Sequence, residues 1–186
     1  KQRNIALDAA TNDWVLFLYV DERIPTDLQQ EIIAELNKSD KKEAYYFYRK
    51  FYFAGKPIHF SGTQNDKNFR LFRRSKCRYV ADKKVHETLI VKGTTGILKN
   101  KLLHYSFDNF EQFKKKMLYY GLLKGSELAD KGKKYSIITH WSKVAFKFVK
   151  TYFLKLGFLD GFDGLKISYL QSLYVNETYR KLKNSK

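Results

Sequence analysis

The sequence predicts an α/β fold, a mixed sheet flanked by helices, followed by a helical C-terminal extension. Three observations carry this. The run from Trp14 to Val20 is apolar, aromatic and β-branched and stops abruptly at Asp21-Glu22, which reads as a strand buried on both faces. Further strand-like stretches, interspersed with a capped helix, continue to residue 106. From residue 107 onwards the pattern changes to amphipathic helices rich in lysine. The chain therefore divides at 1–106 and 107–186.

Composition narrows the function. The 186 residues carry a formal net charge of +17, so anionic partners are expected: nucleic acid, an acidic membrane surface or phosphorylated substrates. From Lys99 onwards 18 Lys/Arg stand against 7 Asp/Glu, so the later part holds most of the excess. The one cysteine, Cys77, excludes an internal disulfide. No apolar stretch is long enough to span a bilayer. There is no glycine-rich phosphate loop, no Cys/His zinc spacing and no Gly-x-Ser-x-Gly turn. The chain opens on Lys1-Gln2-Arg3-Asn4, without Met and apparently inside a helix, so a fragment lacking N-terminal elements is expected.

In chain order, residues 2–10 read as the end of an amphipathic helix and 11–13 as the turn into the first strand. Asp21 and Glu22 then stand beyond that strand's carboxyl end, where open α/β sheets bind ligands. Carboxylates there suit Mg²⁺ or Mn²⁺ shared with substrate phosphates, or else cap the next helix. Thr26 with Gln29 forms a capping box, and Leu28, Ile32 and Leu36 share a helix face. Residues 44–53 make a strand rich in Tyr and Phe, either core or a stacking face. Gly55-Lys56-Pro57 reads as a turn. Residues 68–74 alternate, with Arg70, Phe72 and Arg74 on one side and Phe69, Leu71 and Arg73 on the other. Arg73, Arg74, Lys76 and Arg78 form either a phosphate clamp or a solvated sheet edge.

Val85 to Val91 is the next strand, with His86 and Glu87 on opposite faces, and Ile97 to Leu103 another that ends at His104. Asp108 with Glu111 is a second capping box, opening a helix that stops near Gly132. Ile137 to Leu156 is a basic amphipathic helix. Trp141, Ala145, Phe148, Tyr152 and Phe153 make its bulky face, and Lys143, Lys147 and Lys150 its basic stripe. That pattern suits the headgroup region of an anionic membrane, with Trp141, Lys143, Lys147, Phe148 and Lys150 facing it, or a core helix with snorkelling lysines. A glycine-bounded turn at 157–161 leads to a last helix towards Arg180.

The residues then show a resemblance. Asp13-Trp14-Val15-Leu16, Leu18 and Asp21-Glu22-Arg23 resemble the strand and metal motif of family 2 glycosyltransferases, in the branch that decorates lipopolysaccharide core and other surface glycans. Gly55-Lys56-Pro57-Ile58, Asp66 with Arg70 to Arg73, Val85-His86-Glu87, His104-Tyr105-Ser106, the turn at 157–161 and Gly164-Leu165 follow in the family's order. The resemblance covers most of the chain. It implies a GT-A (Rossmann-like) fold whose nucleobase-binding strands precede this chain, and an inverting, hexosyltransferase-type enzyme. The donor would be a nucleotide-diphosphate sugar with a divalent metal (Mg²⁺ or Mn²⁺), and the acceptor a glycan or lipid-linked glycan. The protein would sit in the cytoplasm, peripheral at the inner face of the cytoplasmic membrane.

By the same resemblance Asp21 is the metal-facing carboxylate, with His104 a further metal or phosphate contact. Glu87 is the candidate general base, Asp66 the other. Arg70, Arg73 and His86 would contact the diphosphate or an anionic acceptor. Tyr19 replaces the first carboxylate of the Asp-x-Asp motif, at a donor-facing position. Two alternatives stand beside this reading: a degenerate, non-catalytic relative, motivated by Tyr19, and a basic nucleic-acid-binding module. Nucleic acid is the less expected partner, because it leaves the strand-end carboxylates and the lysine–aromatic helix without a task.

Overall fold

The computed structural model describes residues 2–63, 65–80 and 88–185. The chain divides into two compact units, Lys1–Lys50 with Asn65–His104, and Phe51–Gln64 with Tyr105–Lys186. The architecture is α/β with a mixed sheet, helices and a helical C-terminal part.

In the first unit the strands are β1 (Trp14–Leu16), β2 (Glu22–Arg23), β3 (Ala44–Phe53, to Lys50 in this unit), β5 (Lys67–Arg73), β8 (Thr95–Ile97) and β9 (Leu102–Phe107, to His104 in this unit); β4 (Lys56–Ile58) belongs to the second. The strand order is β1-β5-β3-β9-β2, and β8 adds to β3 in parallel. Consecutive residues of the central strands feed two cores. Tyr45, Phe47 and Leu71 pack with Leu28 and Ile32 of α2 (Thr26–Asn37). Ala44 and Phe72 pack with Leu7 of α1 (Gln2–Ala9) and with the small sheet of β6 (Cys77–Tyr79) and β7 (Leu89–Val91). Cover on both faces makes Ala44, Tyr45 and Phe47 core, whereas Tyr46 and residues 48–52 of the aromatic strand are half-buried.

Four expectations change here. The run 14–20 is a strand only over Trp14–Leu16, at the sheet edge, and Val20 is 94% exposed. Among the described residues it pairs with β5 alone, antiparallel, and its residues are half-buried or exposed rather than buried on both faces. The alternation assigned to 68–74 is broken. Tyr45 lies opposite Leu71 and Tyr46 opposite Phe69, so Arg70 is the extra residue of a β-bulge, and Phe69 and Phe72 share one core. His104 lies inside β9 rather than at a strand end. The α2 capping box is absent too: Pro25 occupies the cap and no side chain bonds there.

The second unit holds the β3–β4 hairpin, α3 (Phe110–Asp130), α4 (Ile137–Val149) and α5 (Gly161–Lys183). The hairpin turns at Ala54-Gly55, both with positive φ as a two-residue mirror-image turn requires, so Lys56 and Pro57 belong to β4. Phe53, Ile58, Phe107, Phe113, Met117, Ile167 and Leu170 form its core. Asn109, not Asp108, caps α3 by accepting from the Gln112 N–H. Gly121 and Gly125 let α3 approach α5, since a Cβ on Gly125 would lie 2.6 Å from the Thr178 carbonyl oxygen. α4 continues through a π-helical turn at Lys150–Leu154 and a 3₁₀ turn at Gly157–Asp160. Asp160 accepts from the backbone N–H groups of His59 and Phe60 and from the Ser61 hydroxyl, pinning that loop.

Candidate active site

Four neighbouring strands each bring one charged or titratable residue to the same place. β5 carries Arg70, with Asp66 just before it; β3 carries Arg49; β9 carries His104; β2 carries Glu22. Glu22 lies directly opposite His104 in the antiparallel β2–β9 pair.

The innermost contact is Glu22 with Arg70, both 3% exposed. Arg70 Nε donates to Glu22 Oε2 at 2.9 Å and Nη2 to Oε1 at 2.6 Å, a two-pronged charge-assisted pair. Glu22 also accepts from the Tyr19 backbone N–H at 3.2 Å and from Arg49 Nη1 at 3.4 Å. The carboxylate thus ties the 19–22 turn to the sheet, and the bulge at Arg70 supplies the change of direction that brings the guanidinium to it. Arg49 reaches the other way, donating from Nε at 3.0 Å and Nη2 at 2.6 Å to Asp66 Oδ2, while Asn68 donates to Asp66 Oδ1 at 3.3 Å.

Asp21 sits on the pinned turn with its side chain about one-third exposed, 36%, and its Oδ2 lies 3.2 Å from His104 Nε2. The same ring nitrogen is 3.5 Å from Arg49 Nη1. Burial, and then the Arg49 charge, push the His104 pKa below its ordinary 6.5, so the ring is neutral at pH 7. Within this network three carboxylates face two guanidiniums. Glu22 and Asp66 are each matched by an arginine, whereas Asp21, about one-third exposed, has the neutral His104 ring beside it.

That donor set has a definite chemistry. Among the described residues no three His, Cys, Asp or Glu side chains gather to hold a metal by themselves. One hard carboxylate with a neutral imidazole beside it suits a divalent ion that takes its remaining ligands from substrate phosphates and water.

Of the residues singled out from sequence, Asp21, Asp66, Arg70 and His104 come together. Arg70 is buried against Glu22 rather than presented outward. Tyr19 joins them by its ring, which lies 4.8 Å from the Arg70 guanidinium and 5.4 Å from that of Arg3; its buried hydroxyl has no hydrogen bond among the described residues. Arg73 goes elsewhere, to Glu43 at 3.3 Å and over the Trp14 ring. Arg74 and Arg78 also take separate partners, the Ala10 carbonyl and Asp8, so the basic cluster is not one clamp. His86 and Glu87 lie outside the described residues. Sequence reading missed Arg49, whose signal is that it and Lys50 are charges inside a strand otherwise made of Tyr, Phe and Ala. Cys77 is buried, which pushes its thiol up to about 11.

Curated relatives point to a chemistry. The chain is 25% identical to an uncharacterized glycosyltransferase of Rickettsia typhi, over 88% of this chain and 59% of the relative. It is 28% identical to the lipopolysaccharide core biosynthesis glycosyltransferase LpsC of Rhizobium meliloti, over 86% and 58%. An uncharacterized glycosyltransferase of Rickettsia felis is 26% identical over 98% of this chain. These relatives are glycosyltransferases by name. The chain spans about three-fifths of the length of the first two. No protein-family model matches it, and no solved structure is significantly similar.

Proposed function

We propose that the protein is an inverting, family 2 type glycosyltransferase acting in cell-envelope lipopolysaccharide assembly. It transfers a sugar from a nucleotide-diphosphate donor to a glycan or lipid-linked acceptor. The observation that carries the proposal is the partly exposed Asp21 carboxylate on a turn pinned by the buried Glu22–Arg70 pair, in a chain whose relatives bear glycosyltransferase names.

In this reading the acceptor hydroxyl oxygen attacks the anomeric carbon as the bond from that carbon to the diphosphate oxygen breaks. The hydroxyl proton passes to a general base. A divalent metal bound at Asp21, with His104 beside it, would supply neutralisation of charge developing on the leaving diphosphate. Glu22 and Arg70 hold the turn that aims Asp21. Arg49 orients Asp66, and burial, with the Arg49 charge adding to it, lowers the proton affinity of His104 and keeps the ring neutral beside Asp21. Both oxygens of Asp66 already accept hydrogen bonds, which suits a carboxylate that positions its neighbours. Glu87, which matches the family's His-Glu pair in sequence, is the base in this proposal.

Sugar transfer measured on single variants tests it. Asp21→Asn and Glu87→Gln each lower kcat by about 100-fold or more with the fold retained, whereas Asp66→Asn acts less strongly. Transfer unchanged by Asp21→Asn refutes the assignment.

A further inference from the structure

α4 is packed the wrong way round for a helix covering a protein core. Its buried residues are polar: His140, and Thr151 in the π-helical turn that follows. His140 is stacked between Trp141 and Tyr179, with Nε2 3.0 Å from Asn176 Oδ1 and Nδ1 3.2 Å from the Tyr135 hydroxyl. The opposite side is apolar and open. Ile138, Val149 and Phe153 lie whole helical turns apart on that side, with Ile138 79% exposed; Trp141 borders it, one ring face on His140 and still 58% exposed. The apolar surface continues past the helix end through Leu154, Phe158 and Phe162, all exposed. An open surface of this extent, formed by large side chains, marks an interaction site. Phe148 and Tyr152, assigned to that face from sequence, are half-buried and stack on each other instead.

Charge indicates the partner. Residues 131–158 contain seven lysines and no Asp or Glu. Lys143 and Lys150 are exposed on one flank of the apolar face, and Lys147 is half-buried beside them. Next to that flank, α3, α4, α5 and the loop joining α3 to α4 line an open pocket of about 410 Å³ whose lining includes Lys124, Lys133, Lys134 and Lys143 and no carboxylate. Lys124 also pairs with Glu127 at 2.8 Å. A second copy of this chain would set these lysines against themselves. An anionic bilayer satisfies both features, taking Trp and Phe side chains at the level of the headgroups and lysines against lipid phosphates. Among the described residues no helix is long and apolar enough to cross a membrane, so the contact is with its surface.

We infer that the exposed face of α4, from Ile138 to Phe153 and on to Phe162, docks in the plane of an anionic lipid bilayer, with the lysine-lined pocket beside it receiving a phosphate headgroup. The inference stands on the second unit alone and does not require the transfer reaction.

The chain has two tryptophans, Trp14 and Trp141, so Trp14→Phe leaves Trp141 as the sole reporter. Its emission is followed on adding phosphatidylcholine vesicles with and without about 30% phosphatidylglycerol, some carrying brominated acyl chains. The expected result is a blue shift and quenching by shallow bromines with the anionic vesicles only. Ile138→Asp with Val149→Asp, both on the exposed face, weakens vesicle partitioning by about 10-fold or more. Lys143→Glu with Lys150→Glu weakens it comparably, and more at low salt than at high. No spectral change with anionic vesicles overturns the inference. So does equal binding to neutral vesicles. Self-association that Ile138→Asp with Val149→Asp abolishes, in protein that ignores vesicles, assigns the face to a second copy and also overturns it.

Discussion

Replacing Glu22 by Gln removes the charge that holds the site together. The Arg70 guanidinium, 3% exposed, then loses both short contacts to a charged partner, and Arg49 loses its 3.4 Å contact. Breaking a buried ion pair from one side costs about 3–5 kcal/mol, because the remaining charge stays buried without its counter-ion. With a urea slope of about 2 kcal/mol per molar, the unfolding midpoint of the first unit falls by about 1.5–2.5 M. Trp14 reports on that unit, packed 6.2 Å from the Tyr45 ring, once Trp141→Phe removes the other fluorophore. Adding Arg70→Met to Glu22→Gln takes away the stranded charge and recovers much of the loss. A fall of less than about 0.5 M in the single variant, or a double variant no better than the single, refutes the reasoning.

His104 gives a pH dependence of known sign. Its folded pKa lies below the unfolded value, so the unfolded chain binds the proton more readily. The stability it contributes is complete above about pH 6.5 and is lost as pH falls below that. Urea midpoints read from Trp14 decline over that window in the native protein and are flatter in His104→Gln; equal slopes refute the assignment. In the second unit, Gly125→Ala places a Cβ 2.6 Å from the Thr178 carbonyl oxygen and 2.5 Å from Lys181 Cβ. Forcing α3 from α5 costs about 1–3 kcal/mol, read from Trp141 emission in urea; an unchanged midpoint shows the helices to be further apart than described.

The parts of the fold that follow local rules were legible. Leu28, Ile32 and Leu36 recur at helical spacing and do pack as one face of α2, and the lysine-rich helices follow 107 as their periodicity requires. What failed depended on neighbours distant in sequence. Nothing in Trp14 to Val20 reveals that, among the described residues, its strand has only β5 beside it, because edge and central strands share a composition. The alternation at 68–74 hid the bulge at Arg70, which exists only by reference to the Tyr45–Tyr46 register. The site was half legible for the same reason. Asp21 stands out by ending an apolar run, whereas Glu22 beside it looked equivalent and is instead the buried anchor. Arg49 becomes meaningful only when β3 lies between β5 and β9. On α4 the periodic pattern located an apolar face but not its direction, since a core face and a lipid face have the same spacing.

Donor binding is tested most directly by calorimetric titration with nucleotide-diphosphate sugars, with and without Mn²⁺, on the protein in a form that includes the N-terminal elements the family resemblance implies. The expected result is Mn²⁺-dependent binding of one donor class, lost in Asp21→Asn and kept in Arg73→Gln, whose guanidinium faces Glu43 and Trp14. Donor binding to Asp21→Asn as strong as to the native protein, with Mn²⁺ present, contradicts it.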